Sequence, residues 1–202
     1  MSLKLAVITV STRPGRVGPA IADWFAGQAR ADGGFEVVPV DLAEVALPLY
    51  DEPKHPRLKD YQHDHTKRWS AIVEAADAVV FVAPEYNSAP SPALVNALDY
   101  LVHEWAYKPA GFVSYGGVSG GLRAVQVTKL ILSTLKMVPL TEQVTLPMVF
   151  EHLRDGRLDA KPIHDDSAKA LLKELRRWAE ALKPMRAPAD AAAQPALKAA
   201  AG

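Results

Sequence analysis

The sequence predicts an α/β fold, a doubly wound parallel five-stranded sheet with helices on both faces. Three observations support this prediction. Apolar segments of strand length alternate along the chain with segments whose apolar residues repeat at helical spacing. The 202 residues are 49% hydrophobic and 23% charged, which is the composition of a globular protein with an extensive core. A proline inside the second strand segment restricts the order of the strands.

The first half of the chain alternates three predicted strands with two predicted helices. The strands are Leu3–Val10, Phe35–Leu42 and Ala78–Ala83, and the last is apolar throughout, as expected of a strand covered on both faces. One helix is predicted within Ala20–Arg30, and the other follows a polar loop over Pro48–His65. The apolar residues of these helices are Ile21, Trp24, Phe25 and Ala29 in the first and Trp69, Ile72, Val73 and Ala76 in the second.

The second half continues the alternation. Gly111–Tyr115 is predicted as the fourth strand, and the fifth is expected within Leu140–Val149. We expect one domain over residues 1–186 and a mobile Ala- and Pro-rich tail over residues 187–202, to which we assign no function. The last helix is expected to be capped by Asp165, Asp166 or Ser167. The apolar residues of the three helices are Leu94, Leu98, Leu101, Val102 and Trp105, then Val127, Leu130, Ile131 and Leu135, then Leu171, Leu172, Leu175, Trp178 and Leu182.

Pro39 bears on the order of the strands. Because proline has no N–H to donate, a strand that contains it fits the edge of a sheet better than its centre. The order 2-1-3-4-5 places the second strand at the edge, whereas 3-2-1-4-5-6 places it between two neighbours. Unless a bulge accommodates Pro39, the sequence predicts the order 2-1-3-4-5, which is the flavodoxin-like arrangement.

Composition and charge exclude several classes of protein. Lys and Arg together number 23, as do Asp and Glu, and this zero net charge argues against a general nucleic-acid or anionic-membrane binder. The absence of cysteine excludes disulfides, Cys-ligated metal centres and thiol catalysis. No apolar run approaches the roughly 20 residues of a membrane span, and Met1–Val10 lacks the features of a signal peptide. We therefore expect a cytoplasmic protein.

Three unusual loops follow the first, third and fourth strands. The order 2-1-3-4-5 places them side by side, at the switch point where open α/β sheets bind ligands. The first loop, Ser11–Gly18, has two hydroxyls, two arginines, two glycines and no acid, and it leads into a helix. These groups favour a phosphate site over the simpler alternative, a turn with solvated arginines. The loop matches neither the Walker A nor the G-x-G-x-x-G motif.

The other two loops are suited to a flat ligand. Pro84–Pro92 contains three prolines that stiffen it, and Tyr86 offers an apolar face. Ser91 and Pro92 are expected to begin the next helix in any case. Ser114–Gly121 has four glycines in six residues, which permit close approach of the backbone to a planar group. Taken singly, the two loops could also be a helix cap and a flexible turn.

Two local patterns suggest other chemistry. Gly117–Gly121 matches the G-x-S-x-G nucleophile elbow of hydrolases around Ser119, and Asp155 and His164 follow in the hydrolase order. Against an esterase, only one clear strand follows the serine, where that fold needs more. A polar loop could also form a surface metal site, although a solvated loop is the simpler interpretation. Its candidate ligands are His55, His63, His65, Asp60 and Asp64.

At its three loops the chain resembles the NADPH-dependent FMN reductase family of flavodoxin-like proteins, which includes reductases of quinones, azo dyes and chromate. The resemblance covers roughly Leu3–Met148. Three motifs carry it, in the expected order. STRPGR at Ser11–Arg16 is similar to the family's phosphate loop, PEYN at Pro84–Asn87 with ALVNALDY at Ala93–Tyr100 to its most specific signature, and SYGGVSGG at Ser114–Gly121 with the following Arg123-Ala124 to its glycine-rich flavin loop.

The resemblance implies FMN as cofactor and NADPH or NADH as electron donor. We expect a hydride to pass from NAD(P)H through flavin N5 to a small-molecule acceptor, namely a quinone, azo dye, chromate or free flavin. It also implies a homodimer or homotetramer with flavin sites near subunit contacts. The implied binding residues are Ser11, Thr12, Arg13, Gly15, Arg16, Val17 and Gly18 for the phosphate, and Pro84, Glu85, Tyr86, Asn87, Ser114, Gly116 and Gly117 for the ring.

Two departures from the family pattern stand in the first loop. Val10 replaces the usual glycine, and Arg16 replaces a frequent serine, so the Arg16 side chain could bind phosphate or point to solvent. No side chain is expected to act as acid or base, and main-chain N–H groups near Gly116 and Gly117 are expected to meet negative charge on the flavin. A non-catalytic flavin-binding module would use the same residues and stays an alternative.

Overall fold

The computed structural model describes residues 2–186, and the predictions for the tail, residues 187–202, lie outside the described residues. The strands are β1 (Leu3–Thr9), β2 (Phe35–Asp41), β3 (Ala78–Pro84), β4 (Pro109–Tyr115), β5 (Val138–Pro139) and β6 (Val144–Leu146), and β7 (Leu153–Arg154) and β8 (Arg157–Leu158) form a separate hairpin. The central feature is a parallel sheet in the order β2-β1-β3-β4-β5, with β6 also paired to β4. This order confirms the predicted flavodoxin-like arrangement.

Helices cover the sheet on both faces. They are α1 (Gly18–Asp32), α2 (Leu42–Val45), α3 (Asp64–Ala75), α4 (Pro92–Asp99), α5 (Leu122–Thr134) and α6 (Pro162–Leu182). Alternate residues of β1 face the two sides of the sheet, because successive side chains of a strand point in opposite directions. Leu5 and Val7 lie in the core with α1 and α6, whereas Ala6 and Ile8 lie in the core with α3, α4 and α5. No helix within residues 2–186 combines the length and apolarity that a membrane span requires.

The edge position of Pro39 agrees with the sequence prediction. Within the described part of the chain, β2 pairs only with β1, and Pro39 lies opposite Val7 in that register. β3 lies between β1 and β4 and is buried at every position, as its uninterrupted apolar sequence indicates. The carboxyl ends of β1, β3 and β4 are therefore neighbours, and so are the three loops that follow them.

Two predicted elements have different limits in the structure. The third helix was expected to include Leu101 and Trp105, but α4 ends at Asp99. Both residues are nevertheless fully buried, because the chain turns at this point, with the Leu101 N–H donating to Leu98 O, and folds back into the core. The fifth strand, expected within Leu140–Val149, is β6, which pairs with the end of β4, whereas β5 lies before that range and pairs with the start of β4.

The fourth and last helices also depart from prediction. The buried face of α5 consists of Ala124, Val125, Thr128 and Leu132, whereas Leu130 is 71% exposed and Val127 is partly exposed. Ile131 and Leu135, also predicted, are partly buried and pack against the core. Apolar residues occupy both faces of this helix, so periodicity selected a face that is turned only partly toward the core. The last helix, α6, begins at Pro162, so the predicted caps were wrong. Asp165 instead accepts a hydrogen bond from the Gln28 side chain of α1. Trp178, predicted on its apolar face, is 40% exposed.

Candidate active site

A cavity of about 220 Å³ opens at the carboxyl ends of β1, β3 and β4. All three predicted loops contribute to its walls, together with the segment after β6. Nine of the fourteen predicted binding residues therefore lie around one space, as the strand order requires. The lining residues are Ser11, Arg13, Arg16, Val17, Pro84, Glu85, Tyr86, Tyr115, Gly116, Gly117, Val149 and Phe150.

The other five predicted residues do not line this cavity. Thr12 borders a different groove of about 470 Å³ between α2 and α4. Ser114 is fully buried in β4, beneath Gly121. Gly15 and Asn87 are exposed in their turns, and Gly18 is buried at the start of α1. For Gly15 and Gly18, the expected contribution is a main-chain N–H rather than a side chain.

The N-terminus of α1 has free hydrogen-bonding capacity. Val17 precedes the helix without a side-chain cap, and the first turn contains no acidic residue. By contrast, Ser91 caps α4 by accepting from the Leu94 N–H, as the sequence predicts. Unpaired N–H groups and the helix dipole give the uncapped end a partial positive charge. Such an end binds anions, phosphate in particular.

Tyr115 is a site residue that the sequence analysis missed. It is 5% exposed, and its hydroxyl has no hydrogen-bond partner among residues 2–186. A Cβ added to Gly18 would lie 2.9 Å from that hydroxyl oxygen, so the Tyr115 side chain reaches the first residue of α1. Burial raises the pKa of Tyr115 above its ordinary value, which already lies well above physiological pH, so the hydroxyl is a neutral donor. Its position directly before Gly116 in the SYGG motif was the available sequence signal.

The two arginines of the first loop differ in their partners. Arg16 forms a two-pronged ion pair with Asp41 at the end of β2, through nitrogen–oxygen distances of 2.5 and 2.6 Å, and also donates to Ser11 O at 2.7 Å. Asp41 in turn accepts from the Ala43 N–H at the start of α2. The guanidinium of Arg16 thus ties the loop to the edge strand. Arg13 is exposed at the cavity and makes no ion pair within the described part of the chain.

The second loop forms a tight hairpin turn. Tyr86 and Ala89 exchange both backbone hydrogen bonds, at 3.0 and 2.9 Å. The two residues between them, Asn87 and Ser88, have φ values of +51° and +65°, a conformation that non-glycine residues adopt at a cost. The hydroxyl of Tyr86 forms a 2.9 Å hydrogen bond with Ser11 Oγ, which joins the second loop to the first.

The glycine-rich loop passes close to neighbouring backbone. Gly121 has a φ of +87°, and an added Cβ would lie 2.9 Å from Tyr115 N, so this position requires glycine. The Gly116 N–H donates to Leu146 O at 3.3 Å and is not free for a ligand. The Gly117 N–H has no acceptor within residues 2–186. Of the Gly116 and Gly117 N–H groups that were expected to donate to the flavin, only that of Gly117 is therefore available.

Glu85 lies at the cavity, but its carboxylate faces the glycine-rich loop. It accepts hydrogen bonds from the Ser119 hydroxyl at 2.8 Å and from Arg123 Nε at 2.7 Å. Burial alone would raise the pKa of the Glu85 carboxyl, but the hydrogen bonds from Arg123 and Ser119 hold it below its ordinary value. The Glu85 carboxylate is thus held by hydrogen bonds from Ser119 and Arg123 and is not available as a general acid or base.

The alternative chemistries find no support in the geometry. The Ser119 hydroxyl donates to Glu85, and His164 Nδ1 accepts from the Lys161 N–H at the start of α6. The residues of the hydrolase pattern therefore do not form a triad.

The polar loop does not form the alternative metal site. His63 and His65 stack with ring centroids 5.1 Å apart. Within residues 2–186, no group of three or more His, Asp or Glu side chains could hold a metal ion.

The cavity fits a molecule with one phosphate and one flat ring system. The uncapped helix end, the buried Tyr115 hydroxyl and the exposed Arg13 provide donors for an anion. Tyr86 and the glycine-rich loop add flat or small surfaces to the cavity wall. Phe150, which the sequence analysis also missed, is 69% exposed at this edge and adds an aromatic face. These residues fit FMN.

Comparison with known proteins identifies the family. Residues 3–151 match the sequence profile of NADPH-dependent FMN reductase, and the chain belongs to that family. An NAD(P)H-dependent FMN reductase of Nectria sp. is 34% identical over 191 residues, or 89% of each chain. An NADPH azoreductase of Bacillus sp. is 35% identical over 193 residues, or 91% of this chain and 97% of its own.

Solved structures agree on the fold. The flavoenzyme FerB of Paracoccus denitrificans, described as an NAD(P)H:(acceptor) oxidoreductase, superimposes with a TM-score of 0.71 at 20% identity, covering 89% of this chain and 98% of its own. A WrbA-like flavodoxin of Agrobacterium tumefaciens gives a TM-score of 0.55 at 16% identity, covering 90% of this chain and 99% of its own. The expected family, flavodoxin-like fold, oxidoreductase class, and flavin and nicotinamide cofactors are thereby confirmed at the level of the family.

Proposed function

We propose that this chain is an FMN-dependent NAD(P)H oxidoreductase that reduces a small-molecule acceptor such as a quinone, azo dye, chromate or free flavin. The observation that carries the proposal is the uncapped, acid-free start of α1 beside the buried Tyr115 hydroxyl, which has no partner within residues 2–186. An unsatisfied buried hydroxyl costs free energy, and a bound phosphate oxygen would relieve that cost. The names of related reductases, which include an azoreductase and a 2-hydroxy-1,4-benzoquinone reductase, support azo dyes and quinones as acceptors.

The first loop would hold the phosphate. Ser11, Arg13 and the N–H groups of Gly15, Val17 and Gly18 would donate to its oxygens, and Tyr115 would add a hydroxyl from β4. The Arg16 N–H already donates to Arg13 O at 3.2 Å and is not free for a ligand. Thr12 was also predicted to bind the phosphate. Because its side chain borders the neighbouring groove, only its backbone would contribute. Because Asp41 already neutralises Arg16, Arg16 would shape the loop, and Arg13 would supply the positive charge.

The second and third loops would hold the ring. Pro84 and Tyr86 would border it on one side, Gly116 and Gly117 on the other. The chemistry supplied by bound FMN is transfer of a hydride from NAD(P)H through flavin N5 to the acceptor. The Gly117 N–H, which has no acceptor within the described residues, would donate to negative charge on the ring. No side chain of the cavity is needed as acid or base, since the Glu85 carboxylate is fully hydrogen-bonded.

Other expectations remain proposals. We propose that residues 1–186 form the FMN-binding domain, that donor and acceptor use the same open side of the cavity in turn, and that the protein is a cytoplasmic homodimer or homotetramer. Ping-pong kinetics would support shared use of the cavity, and light scattering after gel filtration measures the oligomeric state. Sequential kinetics would contradict the shared site.

Anaerobic spectroscopy followed by turnover tests the proposed function. The protein reconstituted with FMN is expected to lose the visible absorbance of oxidised flavin when NADPH or NADH is added without oxygen. A quinone should then restore the absorbance. Steady NAD(P)H oxidation with the quinone distinguishes a reductase from a non-catalytic flavin-binding module. Bound FMN that NAD(P)H does not reduce would contradict the proposal.

A further inference from the structure

We propose that Glu85 and Arg123 form a positioning pair that holds the second loop against the glycine-rich loop and so fixes the width of the slot for the flavin ring. This inference rests on the proposed function. It differs from a role for Glu85 in contacting the ring, because it assigns the carboxylate to the joint between two loops. It also accounts for Ser119, the serine of the G-x-S-x-G pattern, as a donor within that joint.

The carboxylate of Glu85 is saturated with donors. Its Oε2 accepts from the Ser119 hydroxyl at 2.8 Å and from the Arg123 N–H at 3.1 Å. Its Oε1 accepts from Arg123 Nε at 2.7 Å and lies 2.5 Å from Arg123 Nη2. Both oxygens are thus occupied by the loop after β4 and by the first turn of α5. The Glu85 carboxylate serves α5 as a cap supplied from another loop.

Burial of the Glu85 carboxylate distinguishes this pair from an ion pair at the protein surface. The Glu85 side chain is 7% exposed, whereas that of Arg123 is 62% exposed. The carboxylate therefore depends on these donors for its solvation, and Arg123 covers it from the solvent side. Removing Arg123 would leave a buried charge with the Ser119 hydroxyl and one N–H, and the loop that carries Glu85 would move to reach water.

A change in slot width has a signature that phosphate binding does not share. FMN and riboflavin have the same ring, and only FMN has the phosphate. Loss of the Glu85–Arg123 pair should weaken both ligands by the same factor, whereas loss of a phosphate contact should weaken FMN alone. The ratio of the two dissociation constants therefore separates the two effects.

The test measures dissociation constants for FMN and riboflavin by flavin fluorescence, together with the thermal unfolding of the flavin-free protein. The variants are Arg123→Met, Glu85→Gln and the double variant, with Ser119→Ala as a milder change and the exposed Arg177→Met as control. Each single change at the pair should weaken both flavins about tenfold, which corresponds to about 1.4 kcal/mol. The double variant should lose no more than the worse single variant, because residues that act as a unit are not additive. Ser119→Ala should lose about threefold, and Arg177→Met should bind as the wild type does.

Each other outcome overturns the inference. Unchanged affinities for both flavins, with a lower unfolding temperature, would assign the pair to folding alone. Weaker FMN with unchanged riboflavin would place its effect at the phosphate. If Arg123→Met or Glu85→Gln fails to fold, the FMN and riboflavin affinities of Ser119→Ala provide the same test. Failure of the wild type to bind either flavin would overturn the proposed function, whereas normal wild-type binding with unaffected variants overturns this inference alone.

Discussion

The Tyr115 hydroxyl provides a prediction in which affinity and stability change in opposite directions. Tyr115→Phe removes one oxygen atom and leaves the ring packed in place. In the flavin-free protein that oxygen is buried without a partner in the described part of the chain. In the FMN complex we expect it to donate to a phosphate oxygen beside the start of α1.

The expected magnitudes follow from those two states. A hydrogen bond to a charged group contributes about 1.5–3 kcal/mol, so the Phe variant should bind FMN about 10- to 100-fold more weakly. Relief of an unsatisfied buried hydroxyl should raise the free energy of unfolding of the flavin-free protein by about 1 kcal/mol. For a chain of this size, that gain corresponds to an increase of roughly 2–4 °C in the unfolding temperature.

Isothermal titration with FMN and with riboflavin, and calorimetric unfolding of the flavin-free protein, measure both effects. Tyr107→Phe is the matched control, because Tyr107 precedes β4 and lies at the opposite end of that strand from Tyr115. Riboflavin affinity should be unchanged in both variants. An unchanged FMN affinity in Tyr115→Phe, or an equal loss for riboflavin, would refute the assignment of this hydroxyl to the phosphate.

Three further changes probe other parts of the structure. Arg13→Ala should weaken FMN binding by about 1.5–3 kcal/mol and leave riboflavin binding intact, as measured by titration; equal effects on the two ligands would contradict a phosphate role. Arg16→Met should lower the free energy of unfolding by about 2 kcal/mol in urea titrations, through the loss of the pair with Asp41, and should weaken FMN less than Arg13→Ala does; the reverse order would make Arg16 the phosphate ligand. Burial lowers the pKa of Lys108 to about 8, below that of an unfolded lysine. The unfolded chain therefore binds more protons above this pH, and the stability of the wild type relative to Lys108→Met should rise between about pH 8 and 10; a flat or falling difference would contradict the shift.

The sequence predicted most of what depends on local pattern. Pro39 indicated an edge strand and so favoured the strand order that the structure has, because proline lacks an N–H in any packing arrangement. Ser91 and Pro92 marked the start of α4 for the same kind of reason. The family motifs then located the loops, and the strand order brought the loops together.

What the sequence did not predict depends on long-range contacts. Arg16 and Asp41 are 25 positions apart, and nothing local indicates that they pair. The role of Asp165 as a tertiary partner of Gln28, rather than as a helix cap, likewise needs the packing of α6 on α1. Tyr115 was missed because the SYGG motif places it at the end of a buried strand but does not indicate that its hydroxyl reaches Gly18 at the start of α1.

The central claim is that the uncapped end of α1 holds the phosphate of FMN. A crystal structure of the protein with FMN tests it most directly. We expect the phosphate within hydrogen-bonding distance of the Tyr115 hydroxyl and beside Arg13, with the ring between the Pro84–Asn87 loop and Gly117. Flavin density in the groove between α2 and α4, or a phosphate away from the start of α1, would contradict the claim.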